Sequence, residues 1–508
     1  IRDVERSRGL GDVYKRQIVY IGSPKKSFLA TTRIDATNQA VAPGFINMLS
    51  WGVETLIEDG KSQSDIRQGV TLEVFGEGTS WGPLNDEMKD DLLKKQGDIQ
   101  YEIPWNTLGE YLQFLEDKGV STNVASFIGA TTLRINAVGY EDREPNPKEL
   151  KLMTDLVHQG MKEGALGIGS SLIYAPAFYS STKELVEICR VAAQYDGMYI
   201  SHMRSEGNKI LESVDELITI AKEAGIRSEI YHLKQSGKKN WGKLDAVIQK
   251  IDSARKAGLY ITTDMYNYTA GATGLDASMP PWVQEGGLDK WIERLKKPSI
   301  KKRVIKEMQK DTDKWENLMR AAESAENLIL VGFKNDSLKY LTGKTLDEVS
   351  KIRGKGPEET AIDLVIQDGS RVGTVYFLMS EENVKNGSNK SFDKQNWLWV
   401  LDPIDGTKDF IQGTSNYAMH LALNYKKKPF IGIVLIPEKE KLKFFSFTNG
   451  FGKINLFSFP LTASLSISAP PGYDSPINFA VLSKASPIAS SILCPNSSML
   501  CSSFIRYT

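Results

Sequence analysis

Only four histidines occur in the 508 residues, His158, His202, His232 and His420. His202 closes the apolar run Met-Tyr-Ile-Ser-His (198–202), and His232 closes Glu-Ile-Tyr-His (229–232). Their separation of 30 residues is about one strand-plus-helix repeat, which on a parallel sheet places both imidazoles at equivalent strand ends. Neutral imidazole nitrogens held at a fixed bite suit a borderline ion such as zinc. Glu77, in Phe75-Gly76-Glu77-Gly78, ends another apolar run and offers a third donor, and its flanking glycines allow a tight backbone turn. A lone strand-end histidine is more often a hydrogen-bonded core residue, whereas two at matching repeat positions point to a metal. His158 falls mid-helix and His420 in a strand elsewhere, and both read as packing residues.

The elements that must position these side chains alternate in type. Strand candidates are 41–48, 71–78, 123–129, 165–172, 198–204, 227–234 and 259–268, with amphipathic helices such as 148–164 and 212–225 between them. This alternation implies an α/β fold with a parallel sheet, and seven such strands fit a (β/α)8 TIM-like barrel better than an open sheet. The charged segment 285–360 reads as an insertion after the seventh strand. Its TGKT (342–345) lacks the glycine a phosphate-binding loop needs, because position 338 is Leu.

Composition excludes several classes. Lysine plus arginine and aspartate plus glutamate number 63 each, so the net charge is zero, and neither a nucleic-acid polymer nor an anionic membrane is an expected partner. No apolar run approaches the roughly 18 residues of a membrane span. Three cysteines, Cys189, Cys494 and Cys501, are too few for a disulfide framework or a four-cysteine zinc site. The two ends are atypical. The chain begins at Ile1, and residues 1–17 resemble translated adapter sequence of the kind found in metagenome-derived reading frames; they are set aside from fold reasoning. Residues 455–508 carry 13 serines but only three charged side chains, Asp474, Lys484 and Arg506, which reads as low complexity or a frame error near the end.

Residues 34–47, 164–176, 199–207, 229–237 and 264–275 (IDATNQAVAPGFIN, GALGIGSSLIYAP, YISHMRSEG, EIYHLKQSG and DMYNYTAGATGL) together resemble the N-acyl-D-amino-acid deacylases of the amidohydrolase superfamily, over about Ile18 to Val384. The resemblance implies a zinc-bearing barrel, a small β-sandwich made from both chain ends, a small-molecule substrate and hydrolysis of its amide. It places His202 and His232 as zinc ligands and Glu77 where relatives carry a zinc-binding cysteine. It also matches Lys234 to a lysine that pairs with the substrate carboxylate, and Tyr174 and Tyr266 to pocket tyrosines. Two departures stand out. Leu49 and Trp51 occupy the positions of a His-x-His pair, which removes a second metal site. No eighth strand with its catalytic aspartate precedes the end of the match, so the barrel is expected to keep an unpaired edge and to lack its general base.

From about Ser380 the chain changes character. The string WVLDPIDGTKDF (399–410) resembles the inositol-monophosphatase-like phosphatases, especially the 3′(2′),5′-bisphosphate nucleotidase branch. There Glu381, Asp402, the Ile404 carbonyl and Asp405 would bind Mg²⁺, and Thr407 would position the attacking water. The expected organisation is therefore a non-native segment 1–17, a sandwich remnant 18–44, a barrel 45–384 with an insertion at about 276–375, and an α+β phosphatase-like fragment 385–508 whose tail from about 484 is irregular. A junction where both families share a Ser-Glu-Glu string points to a chimeric assembly rather than a natural fusion. The expected function is zinc-dependent hydrolysis of N-acyl-D-amino acids, impaired in this chain. The alternatives are a Mg²⁺-dependent phosphatase and a non-catalytic barrel. Localisation, oligomeric state and acyl or amino-acid preference stay open.

Overall fold

The structure is a computed structural model; it describes residues 44–266 and 268–380 and, further on, the backbone of eight strands between Trp397 and Tyr507. Parallel strands come first: β1 (Phe45–Asn47), β2 (Val70–Phe75), β3 (Asn123–Ser126), β4 (Ile128–Gly129), β5 (Gly167–Ser171), β6 (Met198–His202), β7 (Arg227–Ile230) and β8 (Ile261–Thr263). They pair in strict chain order, β1-β2-β3 and β4-β5-β6-β7-β8, and β3 and β4 are one strand interrupted at Phe127. All five residues of β5 are buried, as expected for a parallel strand covered on both faces. The run predicted for 259–268 is a strand only over 261–263. Asp264, just past it, still bonds the β7 segment through its main chain, its N–H donating to the Ile230 carbonyl and its carbonyl accepting from the Leu233 N–H, while its carboxylate accepts the His232 backbone N–H.

The connecting helices carry their own boundary signals. In Pro147–Lys162, Asn146 caps the N-terminus by accepting from the Lys148 and Glu149 N–H groups, and Glu149 bonds back to the Asn146 N–H. Its buried Met153, Val157, Gly160 and Met161 repeat at helical spacing. Helix Ile210–Ala224 buries Ile210, Val214, Leu217, Ile220 and Ala224 in the same way and stops at Gly225, with φ of 66°. These faces join Phe75, Ile128, Ile168, Tyr199 and Ile230 in one large core.

A smaller cluster lies on the opposite face of the strands. Val74, Phe127, Ile200 and Tyr231 pack together with Met48, Leu49, Leu72 and Met198, so side chains from β2 and from the residues just past β1 meet side chains from β6 and from the residue just past β7. The Tyr231 hydroxyl donates to the Met48 carbonyl at 2.9 Å. The parallel strands therefore curl around a shared interior.

A second unit follows β8. Strands β9 (Ala270–Gly274), β10 (Leu328–Gly332) and β11 (Gly373–Phe377) form an antiparallel sheet in the order β10-β11-β9, over a core that includes Leu275, Trp291, Val304, Leu346, Ile362 and Tyr376. This sheet takes β10 from within the charged stretch 285–360 and its other two strands from either side of that stretch. Thr345 of the TGKT string caps helix Leu346–Arg353 through a capping box with Glu348.

Beyond Ser380, β12 (Trp397–Asp405), β13 (Ala418–Tyr425), β14 (Lys428–Ile436), β15 (Lys441–Ser446) and β16 (Asn455–Pro460) form an antiparallel meander, followed by the pair β17 (Ser464–Ile467) and β18 (Ile477–Ala480). A final strand, β19 (Arg506–Tyr507), pairs in parallel with β1. The outer edge of β1, expected to be bare, thus has a partner, because exposed edge N–H and C=O groups accept any extended segment that reaches them. Among the described residues β8 pairs only with β7.

One buried ion pair fastens a loop to this framework. Arg134, fully buried, bonds Glu184 at 2.5 Å and the carbonyls of Glu141 and Arg143. Arg134→Met leaves Glu184 buried without its cation and is expected to cost about 3–5 kcal/mol. Denaturant unfolding of the variant measures this; a loss under about 1 kcal/mol would show the pair to be dispensable.

Candidate metal centre

Three chain segments converge at the C-terminal ends of the parallel strands. Beyond β2, Gly76 and Gly78 adopt φ of 102° and 75° and swing Glu77 inward. A Cβ on Gly76 would lie 2.3 Å from the Phe127 carbonyl oxygen, so this turn packs directly on the neighbouring strand. Gly76→Ala is expected to destabilise the fold by at least about 2 kcal/mol through backbone strain and this clash, again measured by denaturant unfolding. β6 ends in His202. β7 is followed by Tyr231 and His232, and His232 has a left-handed φ of 36°. The His232 N–H donates to Asp264 Oδ1 at 2.5 Å and its carbonyl accepts from Lys234 Nζ at 3.0 Å, which fixes the strained residue from both sides.

Glu77, His202 and His232 are all buried. Glu77 Oε1 lies 3.2 Å from His202 Nδ1 and 3.0 Å from His232 Nε2, and the three donor atoms fall within 4.8 Å of one another. The imidazole rings stand at 89° with centroids 4.6 Å apart. One carboxylate oxygen and two imidazole nitrogens in a closed pocket form a borderline donor set that fits zinc. Trp51 Nε1 donates to the other Glu77 oxygen at 3.1 Å, so the residue at a histidine position of the resemblance orients the carboxylate instead.

A second carboxylate stands on the far side of the imidazoles. Glu206 Oε1 is 3.0 Å from His232 Nδ1, and Glu206 Oε2 is 3.6 Å from His202 Nε2. Lys234 Nζ reaches Glu206 at 2.5 Å and His232 Nδ1 at 2.7 Å. The lysine matched to a substrate carboxylate is thus already held by two protein partners. Burial works against ionised carboxylates, yet hydrogen bonds from His202 and His232 hold Glu77 far below the usual range. Glu206 is also held low, against burial, by His202, Lys234 and His232. Burial lowers the His202 pKa. For His232, burial and Lys234 oppose the charged form, but Glu206 and Glu77 outweigh them and raise it to about 9.

Tyr174 and Tyr266 flank the pair, with ring centroids 5.4 Å from His202 and 6.1 Å from His232 respectively. Burial pushes both phenols up, so they are neutral hydrogen-bonding groups at ordinary pH. Sequence reasoning missed two more residues, both from the second unit. Arg371 stacks its guanidinium 4.8 Å from the Tyr174 ring centre, and its Nε donates to both Asp276 oxygens at 2.9 Å. Glu316 accepts from the Glu206 backbone N–H at 2.8 Å; burial and then Glu206 raise its pKa to about 8. His158 lies apart from the site, with Nδ1 3.0 Å from the Tyr195 hydroxyl. On the phosphatase-like side, Glu381 and Thr407 lie outside the described residues. Asp402, Ile404 and Asp405 fall in β12, where the register against β13 shifts between Asp402 and Asp405.

Parallel strands that curl around a shared interior and bring a Glu–His–His set together at their C-terminal ends define an α/β protein with a candidate single-metal centre. Comparison with known proteins places its relatives. The chain is homologous to the D-aminoacylase of Alcaligenes xylosoxydans xylosoxydans, with 28% identity over 360 residues, 70% of this chain and 63% of that protein. The N-acyl-D-glutamate deacylase of the same organism is 30% identical over 249 residues, 48% of this chain and 50% of that protein. The chain therefore spans less than two thirds of either relative. A crystal structure of D-aminoacylase superposes with a TM-score of 0.55 at 28% identity, covering 71% of this chain and 66% of that one. The N-acyl-D-glutamate deacylase of Bordetella bronchiseptica, solved with zinc and a phosphonate mimic of the tetrahedral intermediate, shares the fold with a TM-score of 0.55 at 23% identity. Residues 358–471 match the inositol monophosphatase family. The Nus factor SuhB of Pasteurella multocida is 31% identical over 139 residues, 27% of this chain and 48% of that protein.

Proposed function

We propose that the parallel-strand region is a zinc-dependent deacylase of N-acyl-D-amino acids, built on a (β/α)8-type barrel of which seven strand positions are present. The observation that carries this reading is the convergence of Glu77, His202 and His232 from the ends of β2, β6 and β7. The relatives are named for this activity, and the Bordetella enzyme was solved with zinc. When bound, zinc supplies a Lewis acid that polarises the amide carbonyl and lowers the pKa of water. The residues of the chain do the rest. Glu77, His202 and His232 hold the ion in a buried pocket. Glu77, Glu206 and Lys234 together leave one negative charge, which a divalent ion converts to one positive charge. A loaded site of that sign suits a substrate with a single carboxylate. Arg371, which donates through Nε to Asp276 and through Nη2 to Thr273 Oγ1 at 3.5 Å and stacks on Tyr174, is the cation we assign to that carboxylate.

Arg371→Met is then expected to weaken binding of an N-acetyl-D-amino acid about tenfold or more, the cost of losing a charge-assisted hydrogen bond. Calorimetry on zinc-loaded protein checks this, and unchanged affinity would remove Arg371 from the site. We assign no residue to the general base that the resemblance places on strand eight, and expect turnover at least about a hundredfold below that of an enzyme carrying one. The deciding experiment is zinc stoichiometry together with hydrolysis of N-acetyl-D- and N-acetyl-L-amino acids. Failure to retain zinc, or a preference for the L series, would overturn the reading.

A second reading rests on the family match at 358–471. It takes the C-terminal part as a Mg²⁺-dependent phosphatase fragment, with Glu381, Asp402, Ile404, Asp405 and Thr407 in the roles given above. We favour a chimeric assembly in which that fragment follows the deacylase region near 380–384. Magnesium-dependent release of phosphate from a 3′(2′),5′-bisphosphate nucleotide would favour this second activity, whereas zinc retention with no phosphate release favours the first.

A further inference from the structure

We propose that Glu206 is the positioning residue of the metal centre: one outer carboxylate that sets which nitrogen of both His202 and His232 is free to bind the ion. The inference rests on the metal reading above and concerns how this chain prepares its donors.

The two nitrogens of an imidazole point away from each other, so each ring can face two partners on opposite sides. His232 turns Nε2 to Glu77 at 3.0 Å and Nδ1 to Glu206 at 3.0 Å. His202 turns Nδ1 to Glu77 at 3.2 Å and Nε2 toward Glu206 at 3.6 Å. The nitrogens facing Glu77, His232 Nε2 and His202 Nδ1, are the ones we take as its fellow donors. Glu206 therefore lies outside the pocket and cannot share one ion with Glu77 through these rings. In a neutral imidazole one nitrogen carries the proton and the other a lone pair. Glu206 Oε1 at 3.0 Å is the acceptor that holds a proton on His232 Nδ1 and leaves the Nε2 lone pair for metal, in competition with the donor-only Lys234 ammonium 2.7 Å from the same Nδ1; an acceptor beside His202 Nε2 does the same for Nδ1. His202 Nε2 is buried and has no hydrogen-bond partner among the described residues, and the nearby Glu206 Oε2 is the acceptor poised for it.

The chain invests several contacts in holding this carboxylate still. Lys234 Nζ donates to Oε1 at 2.5 Å and keeps it ionised. The Glu206 N–H donates to Glu316 Oε2 at 2.8 Å, and the Glu206 carbonyl accepts from the Ser236 N–H at 2.8 Å. Glu316 belongs to the second unit, so that unit buttresses the metal centre through Glu206.

The test uses the full chain, with Glu206→Ala and Glu206→Gln beside the unaltered protein. Zinc affinity is measured by competition with a chelating dye, and the visible absorption of the cobalt(II)-substituted protein reports ligand geometry directly. Glu206→Ala is expected to bind zinc about 10- to 100-fold more weakly with altered cobalt bands, the effect typical of an outer partner. Glu206→Gln keeps an acceptor oxygen and is expected to recover part of the loss. Unchanged affinity and cobalt bands in Glu206→Ala would overturn the proposal; if that variant does not fold, the same result in Glu206→Gln would do so. An unaltered protein that binds no zinc would instead overturn the metal reading itself.

Discussion

Replacing His232 by alanine is expected to lower zinc affinity by at least about a hundredfold. Changes to partners outside the donor set cost 10- to 100-fold, and His232 is placed inside it, with Nε2 3.0 Å from Glu77 Oε1. Its loss would leave one nitrogen and one carboxylate in a buried pocket, too few donors to replace the hydration shell of the ion. The substitution also frees Glu206 and Lys234 from their shared partner. The left-handed φ of 36° at this position is borne by histidine and alanine alike, so it adds no large stability difference of its own. His158→Ala is the internal control, because His158 pairs with Tyr195 away from the site and its removal should leave zinc content unchanged. Metal analysis after dialysis against a weak chelator distinguishes the two. Equal zinc in His232→Ala and the unaltered protein would end the assignment of His232 as a ligand.

What the sequence disclosed about this site follows from locality. His202 and His232 each end a short apolar run at equivalent places in a repeat, and Glu77 sits between glycines at a third such end; strand periodicity alone carries that information. Glu206 was within reach of the same reasoning, since it follows His202 by four residues, but it lies past the strand in a turn where no period operates. Lys234 shows the limit of a motif. Its match to a substrate-binding lysine says nothing of the Glu206 carboxylate 2.5 Å away. Arg371 and Glu316 left no local trace. They enter from a unit assembled by pairing 373–377 with 270–274, about a hundred residues apart in the chain. The ends of the strands were also overestimated. The stretch 259–268 is apolar and aromatic enough to continue as a strand, yet the regular strand covers only Ile261–Thr263, with Asp264 still bonded through its main chain to Ile230 and Leu233.

The same arrangement makes zinc affinity depend steeply on pH. Without metal, Glu77 and Glu206 carry two negative charges against one on Lys234. Although burial and Lys234 oppose protonation of His232, the two carboxylates raise its pKa to about 9, from an ordinary 6.5. A proton thus occupies the place that zinc must take, and binding has to expel it. Below pH 9 the affinity should rise roughly tenfold per pH unit, or about a hundredfold between pH 7 and pH 9. Folding stability without metal runs the other way. A group whose folded pKa lies above its unfolded value stabilises the protein fully below pH 6.5, and that contribution is lost as pH rises through about 9. The shift corresponds to about 3 kcal/mol. The metal-free protein should therefore melt at lower temperature at pH 9.5 than at pH 6, and added zinc should restore most at the higher pH. Thermal melts with and without chelator test the stability half. Calorimetry in buffers of different ionisation enthalpy counts the released proton. A zinc affinity that stays flat from pH 7 to pH 9 would mean that His232 is already neutral, and that the carboxylates on either side of it do not outweigh its burial.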